Sequence, residues 1–262
     1  EIGVRLVGSG DVYKRQPLYV YDWEHLKGNI DAFTEAFGKD ALFRYAAKAF
    51  ISKALVKELD EKGWGIDVVS GGEMATVQET VGTLENTVFN GTFKRTDEIE
   101  YFIQNNGGHI SIDNRYEIEM LEKTASSLKK KQPVIMRINL DVGAETHPMV
   151  LTSGYDQQFG ISISFAEEAL NQIASSKSLL FSGIHVHIGS QIKDPERYKL
   201  AMSSCSEFMN SNLEKVEGEA VFNAGGGFFS PYAGEEVDHE LSVYSKAIHD
   251  GIKEHWEEGY KI

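Results

Sequence analysis

The chain has 262 residues and a single cysteine, Cys205, so no intramolecular disulfide framework can hold it together. Cys205 sits among serines (Ser203-Ser204-Cys205-Ser206) with no histidine or metal-ligand spacing nearby, and it reads as a helix-face residue. That usage fits a reducing, cytoplasmic setting. Basic residues are also scarce. Lys plus Arg number 26 against 40 for Asp plus Glu, a formal net charge of −14. Nucleic acid and anionic membrane surfaces are therefore not expected partners, although local donors could still hold a small anion. No apolar run approaches the length of a membrane span. No Gly-x-Gly-x-x-Gly follows the first strand-like run, which leaves a dinucleotide-binding doubly wound sheet without support. There is no internal repeat and no low-complexity stretch.

What remains is ordinary globular composition, 41% apolar and 25% charged, in a chain long enough for one large barrel or two small domains. Residues 1–16 look foreign to the rest and read as a non-native leader, lacking periodicity and running abruptly into Pro17-Leu18-Tyr19. Residues 17–262 are expected to form one domain. Strand-like runs alternate with helical patterns, the signature of βα units and a parallel sheet. Strands are predicted over 43–49, 65–70, 87–91, 109–113, 134–139, 181–187 and 220–224, and Tyr260-Lys261-Ile262 would open an eighth. Leu26, Ile30, Phe33 and Phe37 mark a first helix closed by Gly38. Further helices fill most gaps, at 52–62, 74–82, 96–105, 115–130, 165–175, 195–212 and 240–258. The expected fold is α/β, a (β/α)8 TIM-type barrel truncated before strand eight is complete, with its last gap open.

In such a barrel the chemistry sits at the C-terminal ends of the strands. Lys48 closes Phe43-Arg44-Tyr45-Ala46-Ala47-Lys48, a run apolar enough for a buried strand. A desolvated amine there is what a carbonyl cofactor needs to form a Schiff base; the plain alternative is a lysine snorkelling into solvent. Strand two offers Asp67 followed by Ser70-Gly71-Gly72-Glu73, and strand five offers Arg137 and Asn139. Strand six offers His185, His187, Gly189, Ser190 and Gln191. Strand seven runs into Asn223 and Gly225-Gly226-Gly227, where missing Cβ atoms would let backbone N–H groups approach a phosphate, helped by the Ser190 hydroxyl. A flexible turn is the alternative for the glycines. His185 and His187 share a strand face, but no third ligand converges on them. An imidazole lying on a conjugated ring is the better reading of the pair than a metal site, and for His185 a hydrogen-bonded structural role stays open.

Five of these strings, in order, resemble the fold-type III pyridoxal-phosphate decarboxylases, most closely the diaminopimelate decarboxylase branch. They are Tyr45-Ala46-Ala47-Lys48-Ala49, Gly65–Glu73, Phe159-Gly160, Gly183–Ile192 and Asn223–Gly227. The resemblance implies a lyase of lysine biosynthesis that converts meso-diaminopimelate to L-lysine with pyridoxal 5'-phosphate. It implies that Lys48 holds the cofactor covalently, that His187 stacks on its ring, and that Ser190 with Gly225, Gly226 and Gly227 binds its phosphate. Asp67 would order the lysine side of the site. It also implies a homodimer, with a glutamate on strand eight and a C-terminal β-domain that this sequence does not reach, so the chain by itself is expected to be inactive. Phe50, Thr92, Leu140 and Gln158 depart from the family pattern and leave the substrate less constrained than the cofactor. A decarboxylase for another basic amino acid or amino-acid conjugate, a non-enzymatic pyridoxal-phosphate carrier, and a barrel aldolase using Lys48 are the competing readings.

Overall fold

The computed structural model describes residues 19–38, 41–140, 159–231, 240–257 and 259–262, so the expected leader and Gln158 lie outside the described residues. The chain opens with α1 (Trp23–Phe37), capped by Asp22, whose side chain accepts from the His25 N–H, and ended by Gly38 at φ 81°. Strands and helices then alternate: β1 (Arg44–Ala46), α2 (Lys53–Glu61), β2 (Gly65–Val68), α3 (Gly71–Val81), β3 (Thr87–Phe89) and α4 (Thr96–Gln104). They continue with β4 (His109–Ile112), α5 (Arg115–Ser127), β5 (Gln132–Asn139), the short β6 (Ile161–Ser162), α6 (Ile163–Ala174) and β7 (Leu179–His185). The series ends with α7 (Glu196–Asn210), β8 (Ala220–Asn223), α8 (Leu241–Lys253) and β9 (Tyr260–Lys261). Ser52, Ser70, Asn114 and Ser162 each accept a backbone N–H at the start of the following helix, so polar residues right after strands set several helix starts.

The sheet order is β1-β2-β3-β4-β5-β7-β8-β9, every neighbouring pair is parallel, and β6 pairs only with β5. This is the α/β parallel-strand topology expected for the barrel. The gap after β8 is narrower than expected, however. Tyr260 and Lys261 pair with Ala220 and Val221, and the Leu42 N–H donates to the Ile262 carbonyl at 2.6 Å. One backbone hydrogen bond thus joins the two sheet edges.

Side chains alternate across each strand. Ile66, Val68, Phe89, Ile110, Ile112, Val134, Met136, Phe181 and Phe222 are all buried, and with apolar faces of the helices they form one core. Burying a side chain of this size contributes roughly 1.5–3 kcal/mol. Cys205 belongs to that core, in line with its helix-face assignment. The other set of side chains points into the barrel. Ser111 Oγ and His185 Nδ1 lie 3.0 Å apart although β5 separates their strands in the sheet, a contact that only a curled sheet allows. A cavity of about 510 Å3 is lined by Phe33 and Phe37 of α1, by Arg44 and His109, and by Gly225 and Gly226. Burial pushes the Arg44 guanidinium down to about 10; His109 falls to about 4 through burial and then the Arg44 charge.

Gly183 on β7 marks a very tight approach between strands, since a Cβ there would lie 1.9 Å from the Val221 carbonyl oxygen. Gly183→Ala should therefore force β7 and β8 apart and cost at least about 2 kcal/mol. Gly72→Ala on α3, where a Cβ would meet nothing within 4 Å, should instead stabilise by about 0.5 kcal/mol. Urea denaturation of the two variants checks both signs.

Candidate active site

The C-terminal ends of the strands carry most of the polar side chains singled out in the sequence. β1 stops at Ala46, whose ladder with β2 closes with the Ala47 N–H donating to the Asp67 carbonyl at 2.9 Å. Residues 47–49 then form a turn, and Lys48 lies in it with an exposed side chain. This corrects the expectation of a strand-borne, desolvated amine: β1 has only three residues, so the chain turns outward before Lys48. The Lys48 charge still bears on Asp67, His185 and His187.

Asp67 is the penultimate residue of β2. Its Oδ2 accepts from Asn90 Nδ2 at 3.0 Å. Burial pushes the carboxyl from 3.8 up to about 6, opposed by that hydrogen bond and by the Lys48 charge. The following Ser70-Gly71-Gly72-Glu73 string works as a helix start. Ser70 Oγ accepts from the Glu73 N–H, the Val69 N–H donates to Glu73 Oε2 at 2.6 Å, and the Gly71 N–H donates to Glu98 Oε1.

A buried polar network that sequence reasoning missed supports the middle of the rim. Lys94 Nζ is 2.9 Å from Glu117 Oε2, with side-chain exposures of 0% and 4%, and it also donates to the Gly91 carbonyl at 2.7 Å. The same carboxylate oxygen accepts from the Asp113 N–H at 2.9 Å. Burial lowers the Lys94 value and raises that of Glu117, each opposed by the other's charge. Asp113 Oδ1 in turn accepts from Arg137 Nη1 at 3.0 Å, and the guanidinium lies 5.0 Å from the centre of the Phe159 ring. Arg137 had been noted only as a strand-end residue. Asn90 and Asp113 each follow a short apolar strand, which is a usable signal. The partnership of Lys94 with Glu117 spans 23 residues and has none.

His185 is buried against Ser111, and its value is driven well below the ordinary 6.5 by burial and then by Arg137. The structural reading left open for it is thus the one the fold realises. His187 lies past the end of β7, half-buried, and is also lowered, first by burial and then by Arg137. Its Nδ1 faces the Gly226 N–H at 3.5 Å. The loops after β7 and β8 are fastened together, with the Ile192 N–H donating to the Gly227 carbonyl at 2.9 Å. Gly225 and Gly227 have φ of 72° and 93°, and Cβ atoms there would lie 2.4 Å from the Val186 carbonyl and 1.9 Å from the Gly189 carbonyl. Those two glycines are required by the protein's own packing. Gly226 is different: a Cβ there would meet nothing within 4 Å. Ser190 lies against Gly227, its Cα 3.3 Å from where that Cβ would be. Asp67, His187, Ser190 and the three glycines therefore share one rim with Lys48.

Residues 24–262 match the family model described as "Pyridoxal-dependent decarboxylase, pyridoxal binding domain". The chain is 32% identical over 244 residues to diaminopimelate decarboxylase of Bacillus subtilis, covering 91% of this chain and 56% of that protein. It is 37% identical over 239 residues to diaminopimelate decarboxylase of Zymomonas mobilis, covering 88% and 56%. Among solved structures, diaminopimelate decarboxylase of M. jannaschii in co-complex with L-lysine superposes with a TM-score of 0.83 at 29% identity, over 94% of this chain and 59% of that one. The Helicobacter pylori enzyme complexed with L-lysine gives 0.81 at 29% identity, over 91% and 60%. The chain thus spans little more than half the length of the relatives it matches.

The position of Asp67 carries a pH signature. Its folded value of about 6 lies above the ordinary 3.8, so the folded protein binds this proton more tightly than the unfolded chain does. The stability it confers is full below about pH 4 and is lost as pH rises through about 6. Urea titrations of the cofactor-free protein should follow that decline, and Asp67→Asn should flatten it. A decline that persists in the variant would assign the titration to another group.

Proposed function

The chain belongs to the pyridoxal-dependent decarboxylases, of which it is the pyridoxal-binding domain, and from that premise we propose that the protein removes a carboxyl group from an amino acid with pyridoxal phosphate as cofactor. The substrate we infer is meso-diaminopimelate and the product L-lysine, in the cytoplasm. The relatives named diaminopimelate decarboxylase support the substrate, and the two related structures complexed with L-lysine support the product. Among the described residues, no helix is long and apolar enough to cross a membrane.

One observation carries the cofactor: a cradle and an amine on the same rim. Gly226 leaves open the space a Cβ would fill, and the Gly227 N–H takes no protein partner among the described residues. Ser190 lies beside Gly227 and brings a hydroxyl group to the same loop. These are donors suited to a phosphate, and the exposed Lys48 amine suits an aldehyde. Pyridoxal phosphate, when bound, supplies an electron sink for the pair left on the α-carbon as carbon dioxide departs. The protein's part is orientation. The Lys48 amine would hold the cofactor through its aldehyde group. Asp67 sets a carboxyl group in the field of that amine. Burial, and then the Arg137 charge, lowers the His187 value and so favours the uncharged ring, which can lie against an aromatic face.

Four exposed aromatic side chains support a second copy as partner. Phe93 and Phe159 lie in the segments after β3 and β5, and Tyr116 and Phe165 in the first turns of α5 and α6, so all four follow the C-terminal ends of strands. Apolar groups clustered beside a site are commonly covered by a partner.

In the full protein, Lys48→Ala should abolish carbon dioxide release from meso-diaminopimelate and borohydride-stable attachment of the cofactor. Labelling that moves to another lysine would refute the assignment. Gly226→Val should weaken cofactor binding at least tenfold, about 1.4 kcal/mol, while the denaturation midpoint stays put because the new side chain enters open space. Release from lysine, ornithine or arginine in preference to meso-diaminopimelate would reassign the substrate.

A further inference from the structure

The glycine loop is aimed by two side chains outside the set so far assigned. Tyr198 of α7 is fully buried, its ring stacked on Phe228 at 5.0 Å and set edge-on to Tyr244 at 5.7 Å. Its hydroxyl donates to the Gly226 carbonyl at 3.0 Å. A trans peptide is planar, with its C=O and N–H pointing opposite ways, and no cis peptide occurs among the described residues. Holding the Gly226 carbonyl toward the helix layer therefore turns the Gly227 N–H the other way, toward the mouth.

Gln191 fastens the far end of the same loop. It is a non-glycine residue in the left-handed region, at φ 57°. That conformation spends some backbone strain, and it lets both amide atoms pair with one residue. Gln191 Nε2 donates to the Ser230 carbonyl and the Ser230 N–H donates to Gln191 Oε1, each at 2.9 Å. The neighbouring Ile192 forms a parallel bridge with Phe228, and the Tyr244 hydroxyl donates to the Ile192 carbonyl at 2.9 Å. Three consecutive glycines would otherwise sample many conformations, and ordering them on binding would cost affinity.

We propose that Tyr198 and Gln191 are positioning residues for the phosphate group, holding the Gly225–Gly227 loop so that the Gly227 N–H faces the anion before it arrives. This rests on the assignment of that loop to phosphate. Tyr198→Phe removes the hydroxyl and keeps the stacked ring. Gln191→Gly removes the amide pair and leaves the left-handed backbone accessible.

The test titrates the cofactor-free full protein with pyridoxal phosphate and, separately, with pyridoxal, which lacks the phosphate. The ratio of the two dissociation constants isolates the phosphate from everything else in the site. Each variant should shrink that ratio about fivefold, the worth of one hydrogen bond of about 1 kcal/mol, with pyridoxal binding unchanged. An unchanged ratio in both variants, or equal weakening of both ligands, would overturn the proposal and leave the two residues with a structural role only. Gly226→Val serves as reference. If it collapses the ratio while Tyr198→Phe and Gln191→Gly do not, the positioning inference fails alone. If it too leaves the ratio intact, the phosphate assignment fails and takes the inference with it.

Discussion

Every neighbouring pair in the sheet is parallel, and this one constraint organises the molecule. A parallel neighbour cannot be reached by a tight turn, so each connection must return over the outside of the sheet, usually as a helix. Each return brings the next strand up in the same direction, and the strand ends therefore open on one rim. Residues as distant in sequence as Lys48, Asp113 and Gly226 come to one end of the sheet for that reason, without any local signal drawing them together. Curling of the sheet adds the second contact direction, across the interior, which the pairing of Ser111 with His185 uses.

The same curvature creates an electrostatic problem that the chain solves with pairs. Inward-facing polar groups cannot all reach water, and an unpaired charge inside is costly. Lys94, in the loop after β3, and Glu117, on α5, neutralise each other where both are buried, and Glu117 also takes the Asp113 N–H. Asp113 is then free to use its carboxylate on Arg137. The positive charge of Arg137, with that of Lys48, bears on His185 and His187 and helps keep both imidazoles neutral. A chain with a net charge of −14 can thus offer an anion a favourable mouth, because the relevant field comes from these few cations and from backbone N–H groups.

The three glycines after β8 illustrate how one motif can hold two kinds of requirement. Gly225 and Gly227 are glycine because of the protein itself: their φ angles are positive and the neighbouring loop backbone leaves no room for a Cβ. Gly226 meets neither condition, so its lack of a side chain has no explanation within the described protein atoms. A ligand that approaches the loop from the mouth supplies one.

Much of this was legible in the sequence. Apolar periodicity and capping residues placed the strands and helices to within a few residues, and short runs ending in Lys48, Asp67, His187 and Gly225–Gly227 marked one rim once a barrel was assumed. The sequence misled at Lys48, because composition cannot tell where a strand stops hydrogen-bonding; β1 ends at Ala46 and the lysine is carried into an exposed turn. It was silent on Lys94 with Glu117 and on Tyr198 with Gly226, whose partners sit on different βα units. Local propensity and patterning thus determined which elements form and in what order. Tertiary structure alone decided which polar groups pair and which glycine stays open, since both depend on distances set by the curvature of the whole sheet.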